Sequence, residues 1–463
     1  MSHRVVAALV LSALSLGAPR VDAQPHDAGL VWDSGLHARV IETGDAPWPR
    51  GALGQAIGWE QPRPGGLAGV LRSVRAPVAV HVGRGVDVAR AEMALRVAEQ
   101  VCDRLESRLG MELPAPDGTR GGGAEFDLYL TADGPALAVV PEGAELSALW
   151  DRASAWAQLR ADDPASLPRR VAEALGRAVV YGAKADHPPA AVAALGATLA
   201  RRTLDLPSDP AAVTAFQSQP GRAVLGADRD EAAHRGAGLF FDWLHAQYDD
   251  PTGALLRGLI VGAAQRTPPG ETTYWDEPDV LDVVRRVLRD EPGGFPRVFL
   301  QFALARPTFG TAGDALALTG HQGPALVSPP ARRLRWGALP SWQVVTGVEP
   351  TGSAVVRIDL ADAPDLLTGD PSLSVYVHLP PWHRWVAAIQ RYDALGRAVG
   401  VAPSEVITDG FWSARAEALE GVAVVDVVAV NLGGMDIDPD LPIPPRSFVA
   451  VHVVPSTAPP LPR

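Results

Sequence analysis

Residues 76–130, APVAVHVGRGVDVARAEMALRVAEQVCDRLESRLGMELPAPDGTRGGGAEFDLYL, decide the fold class, because their hydrophobic period changes twice. Val78-Ala79-Val80-His81-Val82 is a short run of strand type. Asp87 then stands where a helix N-cap belongs. Met93, Val97, Val101, Leu105 and Leu109 follow at the spacing of one helix face. Gly110 ends that helix. Pro114-Ala115-Pro116-Asp117-Gly118 and Gly121-Gly122-Gly123 read as loop. Phe126-Asp127-Leu128-Tyr129-Leu130 returns to the period of two expected of a half-buried strand.

Working outward, residues 24–74 read as a Pro/Gly-rich tail or linker, with Pro62-Arg63-Pro64-Gly65-Gly66 inside it and no period. Residues 1–23 read as a signal peptide. His3-Arg4 is a basic start, Val5 to Leu16 an apolar run, and Val21-Asp22-Ala23 a small-x-small cleavage pattern. The run is too short to span a bilayer, which takes about 20 apolar residues. The sequence therefore predicts export to the periplasm or beyond, and no transmembrane segment in the mature chain.

Toward the C-terminus, Ala153 to Arg160 is a further strand. Helices are expected over 167–182, 189–203, 236–248, 254–266, 278–288 and 295–305. After Pro329-Pro330 the pattern changes. Residues 353–360, 373–379, 385–392, 422–432 and 448–454 are strand-like, and Asp393-Ala394-Leu395-Gly396-Arg397 is a hairpin turn. The predicted class is α+β: a helix-rich domain with a small sheet over 75–312, then an all-β sandwich over 335–456.

Charge narrows the partners. The chain carries 41 basic and 53 acidic residues. Without Arg4, Arg20 and Asp22 of the leader, 39 basic and 52 acidic residues leave a net charge of −13. That balance argues against nucleic acid and against docking on anionic lipid. Cys102 is the only cysteine, so no internal disulfide can form. Its place in a helix pattern makes it a small core residue. Lys184 is the only lysine and reads as part of a polar loop.

The usual catalytic signatures are missing. There is no H-E-x-x-H, C-x-x-C, P-loop or G-x-S-x-G. The histidines show no ligand spacing, and His234 and His245 read as surface or cap residues. Asp436, Asp438 and Asp440 alternate like the start of a calcium loop, but Pro439 interrupts them and no closing glutamate follows. A solvated loop is the plainer reading. Trp382 and Trp385 flank a strand start and read either as packing residues or as a sugar-stacking pair.

The order strand, long helix, Pro-Asp-Gly loop and strand over 76–130 resembles the opening of secreted bacterial metallopeptidases of the gluzincin type. LPRRVAEALGRAVVYGAKADHPPAAVAALGATLARR, residues 167–202, falls where those proteins carry the zinc helix and the helix after it. GAGLFFDWLHAQY (236–248) and FPRVFLQFALARPTFG (295–310) resemble later helices of that family. GSAVVRIDLAD (352–362) and RYDALGRAVG (391–400) resemble its C-terminal β-domain.

The resemblance implies a degenerate site. Laid over H-E-x-x-H, Glu173 replaces the first zinc histidine, Ala174 the catalytic glutamate and Arg177 the second histidine. Ala194 falls where the third ligand is expected. A one-residue shift restores only Glu173 as the glutamate. Zinc needs about three protein ligands with lone pairs. Arginine offers only donors and alanine nothing. No cofactor is therefore expected. Glu173 and Arg177, at i and i+4, read either as a solvated helix face or as an ion pair filling the vacated metal position. The implied function is a binding or envelope-associated pseudoenzyme with an unidentified protein or envelope partner. An active hydrolase with unread catalytic residues, and a structural protein working through its sandwich, are the alternatives.

Overall fold

The computed structural model describes residues 62–118, 120–143, 152–227, 229–248, 252–264, 278–289, 291–309, 328–363, 372–434 and 446–456. The expected signal peptide, residues 1–23, and Asp436, Asp438 and Asp440 lie outside these. The fold is α+β with a β-rich C-terminal region. No helix among the described residues is long and apolar enough to cross a membrane. By packing the chain forms two compact units, residues 1–206 with 244–289, and residues 207–243 with 290–463.

The first unit is built on a five-stranded sheet. Its strands are β1 (Leu67–Arg72), β2 (Val78–Gly83), β3 (Phe126–Thr131), β4 (Leu137–Gly143) and β5 (Ala153–Arg160), in the order β1-β2-β3-β5-β4. β2, β3 and β5 run parallel, and the two edge strands pair antiparallel. A parallel pair needs a long crossover, and between β2 and β3 it is α1 (Val88–Ser107). The Asp87 carboxylate caps α1 by accepting from the Ala89 amide at 3.0 Å, as the sequence predicts. β3 departs from expectation. Its period of two predicts a half-buried strand, yet Phe126 to Leu130 are all buried. As the central strand of the sheet it carries a polar row, Asp127 and Tyr129, that is covered as well as its apolar one.

β1 and Arg63 fall within the stretch read as a tail. Order therefore begins earlier than the hydrophobic period signals. Leu67 to Arg72 is exposed or half-buried along its length, and an edge strand of that kind gives almost no alternation to read. α2 (Leu167–Ala183) packs on β4 and β5, and α3 (Pro189–Leu204) packs on α2.

The second unit is a sandwich with helices attached. The strands are β6 (Arg332–Arg335), β7 (Ser341–Val348), β8 (Ser353–Asp359), β9 (Ser372–His378), β10 (Trp385–Asp393), β11 (Ala398–Pro403), β12 (Phe411–Ala416), β13 (Val422–Asn431) and β14 (Ser447–Ser456). One sheet has the order β11-β10-β13-β8-β6 and the other β12-β9-β14-β7. Val356, Ile358, Val375, Val377, Trp385, Ile389, Val425 and Val451 form the core between the sheets. The predicted turn joins β10 to β11. There the Asp393 carboxylate accepts from the amides of Leu395 and Arg397, and Gly396 takes a positive φ.

The remaining helices are α4 (Pro210–Gln217), α5 (Glu231–Gly236), α6 (Gly238–Tyr248), α7 (Ala254–Gly262), α8 (Val280–Val287) and α9 (Gly294–Ala305). α9 lies on β10 and β13. Phe216, Phe240, Trp243, Phe299 and Phe302 form a continuous ring cluster in this unit. The turn after β7 ties the segment near residue 220 to the sandwich. Ser353 donates its amide to the Pro220 carbonyl at 2.8 Å, and the buried Glu349 carboxylate accepts from the Ala223 amide at 2.9 Å. The sandwich thus includes helices that precede the helix-to-strand change in the sequence.

Candidate functional site

Of the four positions matched to the peptidase motif, Glu173, Ala174 and Arg177 lie on α2 and Ala194 on α3. Gly176 and Gly196 each lie roughly two turns from the connecting loop, so the helices run antiparallel and cross there. A Cβ at Gly176 would stand 2.8 Å from the Gly196 carbonyl oxygen, and one at Gly196 would stand 2.5 Å from the Arg177 Cγ. The backbones approach this closely because both residues are glycine. Ala174 and Ala194 are fully buried, Glu173 is 1% exposed and Arg177 8%. The solvated-face reading of Glu173 and Arg177 is therefore corrected. α3 lies over their side of α2, with the Arg177 stem against Gly196.

Several other expectations change. Trp382 is 65% exposed, whereas Trp385 is fully buried and donates Nε1–H to the Pro380 carbonyl at 3.2 Å. The two form no common platform. His234 is buried beside the Gly226 carbonyl, with 3.1 Å between them. Lys184 is buried and donates Nζ–H to the Pro278 carbonyl at 2.9 Å. Burial and the neighbouring Lys184 push His187 down to about 3, so its ring is neutral. Among the described residues, no group of three or more His, Cys, Asp or Glu side chains is placed to hold a metal.

Two features that sequence reading missed concentrate the chemistry. The first is the polar face of the N-terminal sheet. Register places Ala79, Asp127 and Trp156 in one row and His81, Tyr129 and Gln158 in the next, all on the same face. Glu142 and Val140 of β4 extend that face. His81 Nε2 lies 2.6 Å from Asp127 Oδ1, and the His81 ring stacks on Tyr129 with 4.4 Å between centroids. Into this face reaches Arg63. Its Nε and Nη2 donate to the two oxygens of Glu142, both at 2.9 Å. Nη2 also donates to Asp117, and Nη1 to Asp127 and to the Tyr129 hydroxyl oxygen at 3.2 Å.

Burial dominates the electrostatics here, and the partners sort it. Burial pushes Asp117 up to about 6 although Arg63 opposes it. Burial would raise Asp127 too, but hydrogen bonding and charge from His81 and Arg63 hold it below the ordinary carboxylate value. Burial would lower Arg63, and its bonds to Glu142, Asp117 and Tyr129 outweigh that and raise it. The available signal was the Asp-x-Tyr alternation beside Val80-His81. Arg63, between two prolines and far from them in sequence, had none.

The second feature is the outward face of the β12-β9-β14-β7 sheet. Register aligns Trp342, His452, Tyr376 and Ser413 across it, and next to them Val344, Ala450, His378 and Phe411. The rings touch in series. Centroids are 5.4 Å apart for Trp342–His452, 5.9 Å for His452–Tyr376, 5.2 Å for Trp342–His378 and 5.0 Å for His378–Phe411. Trp342 is 52% exposed and Phe411 38%. β7 and β12 went unread in the sequence, so this alignment could not be assembled from it.

No family model and no curated protein matches the sequence. Among solved structures, the pre-peptidase C-terminal domain of a collagenase from Bacillus anthracis is similar at 8% identity. The match covers 27% of this chain and 96% of that one, with a TM-score of 0.18.

Proposed function

We propose that this chain is exported and works outside the cytoplasm as a binding protein of the cell envelope, a catalytically degenerate relative of gluzincin-type metallopeptidases. The observation that carries the reading is the exposed ring array on the outer sheet of the second unit. A contiguous apolar patch on a sheet face is uncommon unless it meets a partner. Aromatic rings with polar edges give large contact area at low entropy cost. The degenerate half of the reading rests on donor chemistry. Glu173, Ala174, Arg177 and Ala194 together supply one carboxylate where three zinc ligands and a general base are required.

The test uses the purified full chain in two assays. In the first it is mixed with washed cell-wall sacculi, and the bound fraction is compared with that of a Trp342→Ala/Phe411→Ala variant of equal thermal stability. Binding by the parent and its loss in the variant is the expected result. Equal binding by both chains removes the ring array from the reading. In the second, one equivalent of zinc is added, the protein is dialysed, and bound metal and hydrolysis of an unstructured protein are measured. Stoichiometric zinc with chelator-sensitive hydrolysis, both lost on Glu173→Ala, overturns the degenerate assignment.

A further inference from the structure

We infer that the polar face of the N-terminal sheet is a receptor for a guanidinium group, that this chain fills it with its own Arg63, and that an arginine side chain is the ligand class it takes once Arg63 is withdrawn. The inference goes beyond the binding reading of the second unit and does not rest on it.

Three carboxylates and a phenol converge on one guanidinium, and they come from separate parts of the chain: Asp117 from the loop after α1, Asp127 and Tyr129 from β3, Glu142 from β4. A structural ion pair needs one carboxylate. Two further guanidinium groups lie nearby: Arg120, 3.4 Å from Glu142 and 45% exposed along its side chain, and Arg72, whose charge acts on Asp127 from the exposed edge strand. The acceptors are also set by groups other than Arg63. His81 holds Asp127 from β2. Gly121 lets the loop close on the same carboxylate, because a Cβ there would overlap it. The Asp117 side chain is 1% exposed and sits against the Asp127 carboxyl as well as Arg63, so two carboxyl groups are held together beside the guanidinium. Packed Tyr129, Val140 and Trp156 complete the face. The flat edge that meets both oxygens of Glu142 suits guanidinium and not ammonium, which has no planar fork.

Arg63 precedes β1, so whatever draws that segment away empties the receptor. The experiment removes the side chain and supplies the group in solution. The full chain carrying Arg63→Ala is melted in rising methylguanidinium chloride, with ethylammonium chloride and sodium chloride at matched ionic strength as controls. A ligand that binds the folded state raises the midpoint and saturates. The expected result is a saturable rise with methylguanidinium alone. It should be absent in the parent chain, whose site is filled, and absent in Arg63→Ala/Glu142→Gln. If Arg63→Ala shows no cooperative melt by itself, methylguanidinium should restore one. Equal responses to the three salts, a rise of the same size in the parent, or no restoration each overturns the inference.

Discussion

The two sheets of this chain depart from ordinary alternation in opposite senses. The N-terminal sheet turns a face of carboxylates, histidine and tyrosine inward, covers it, and neutralises part of it with Arg63. The outer sheet of the sandwich turns tryptophan, phenylalanine and tyrosine outward, and these rings contact one another and two histidines. Buried charge is costly unless paired, and exposed aromatic area gains nothing for folding. The first arrangement therefore bears on the stability of its unit. The second should be nearly silent in folding, which makes it the better place to look for a partner.

The largest effect should follow Arg63→Ala. It leaves Asp117, Asp127 and Glu142 facing each other with little compensation. Removing one partner of a buried ion pair costs about 3–5 kcal/mol, and denaturant unfolding of the full chain should lose an amount of that order. Arg63→Lys should recover only part, because an ammonium cannot meet Glu142 through a planar fork. A loss below about 1 kcal/mol, the range of surface pairs, would place the cluster with ordinary solvated bridges and remove the contrast.

Next comes the helix crossing. Gly176→Ala sets a methyl 2.8 Å from a backbone oxygen and 3.1 Å from the Cα of Gly196, and neither can swing aside. Overpacking costs about 1–3 kcal/mol, while alanine regains up to about 1 kcal/mol of helix propensity. A net loss of about 1 kcal/mol is expected in urea unfolding. A neutral result would mean that the pair separates readily, reopening the face on which Glu173 and Arg177 lie.

A smaller effect has a sign fixed by pH. Burial raises Asp117 to about 6 from an ordinary 3.8. Between those values the folded chain keeps a proton that the unfolded chain releases, so this group's contribution to stability falls as pH rises through the window. Asp127, held low, acts oppositely and only in stronger acid, where protonation removes its contribution. Asp117→Asn deletes the first titration. Measured at pH 5 and again at pH 7.5, the stability of the parent relative to this variant should drop by about 1 kcal/mol at the higher pH, near the worth of one pKa unit. A change of opposite sign would mean that the charged form of Asp117 is the favoured one.

What the sequence made legible follows the same division. Elements with a strong apolar period were read nearly to the residue: β2, α1 with its Asp87 cap, α2, α3 and β10. β1, β7, β11 and β12 were not, because edge strands with exposed residues carry little alternation and Gly and Ala blur what remains. The candidate sites suffered more. Asp127 and Tyr129 were visible as alternate residues, but nothing local announces that Arg63, 64 positions earlier, completes their site. The ring array needed the strand order β12-β9-β14-β7, in which β9 and β14 pair across most of the sandwich sequence. Long-range register of that kind is a property of the fold and not of any window.

The smallest expected effect on folding is also the sharpest test of the contrast. Trp342→Ala and Phe411→Ala each remove an exposed ring from the outer sheet. Neither residue belongs to the core between the sheets, which is formed by Val375, Val377, Val449 and Val451 on the inward rows of the same strands. Exposed substitutions away from caps and buried networks stay within about 0.5 kcal/mol, and the lost ring–ring contacts are worth about 0.5–1.5 kcal/mol when fully packed. Half-exposed rings should lose the lower end of that range. Thermal unfolding of the two single variants and the double variant should therefore overlay the parent closely, while sacculus binding falls stepwise through the singles to the double. A loss of 2 kcal/mol or more, the magnitude of a core truncation, would mean that the rings hold the sheet together. The outer face would then be as structural as the Arg63 cluster, and the two sheets would differ in polarity but not in role.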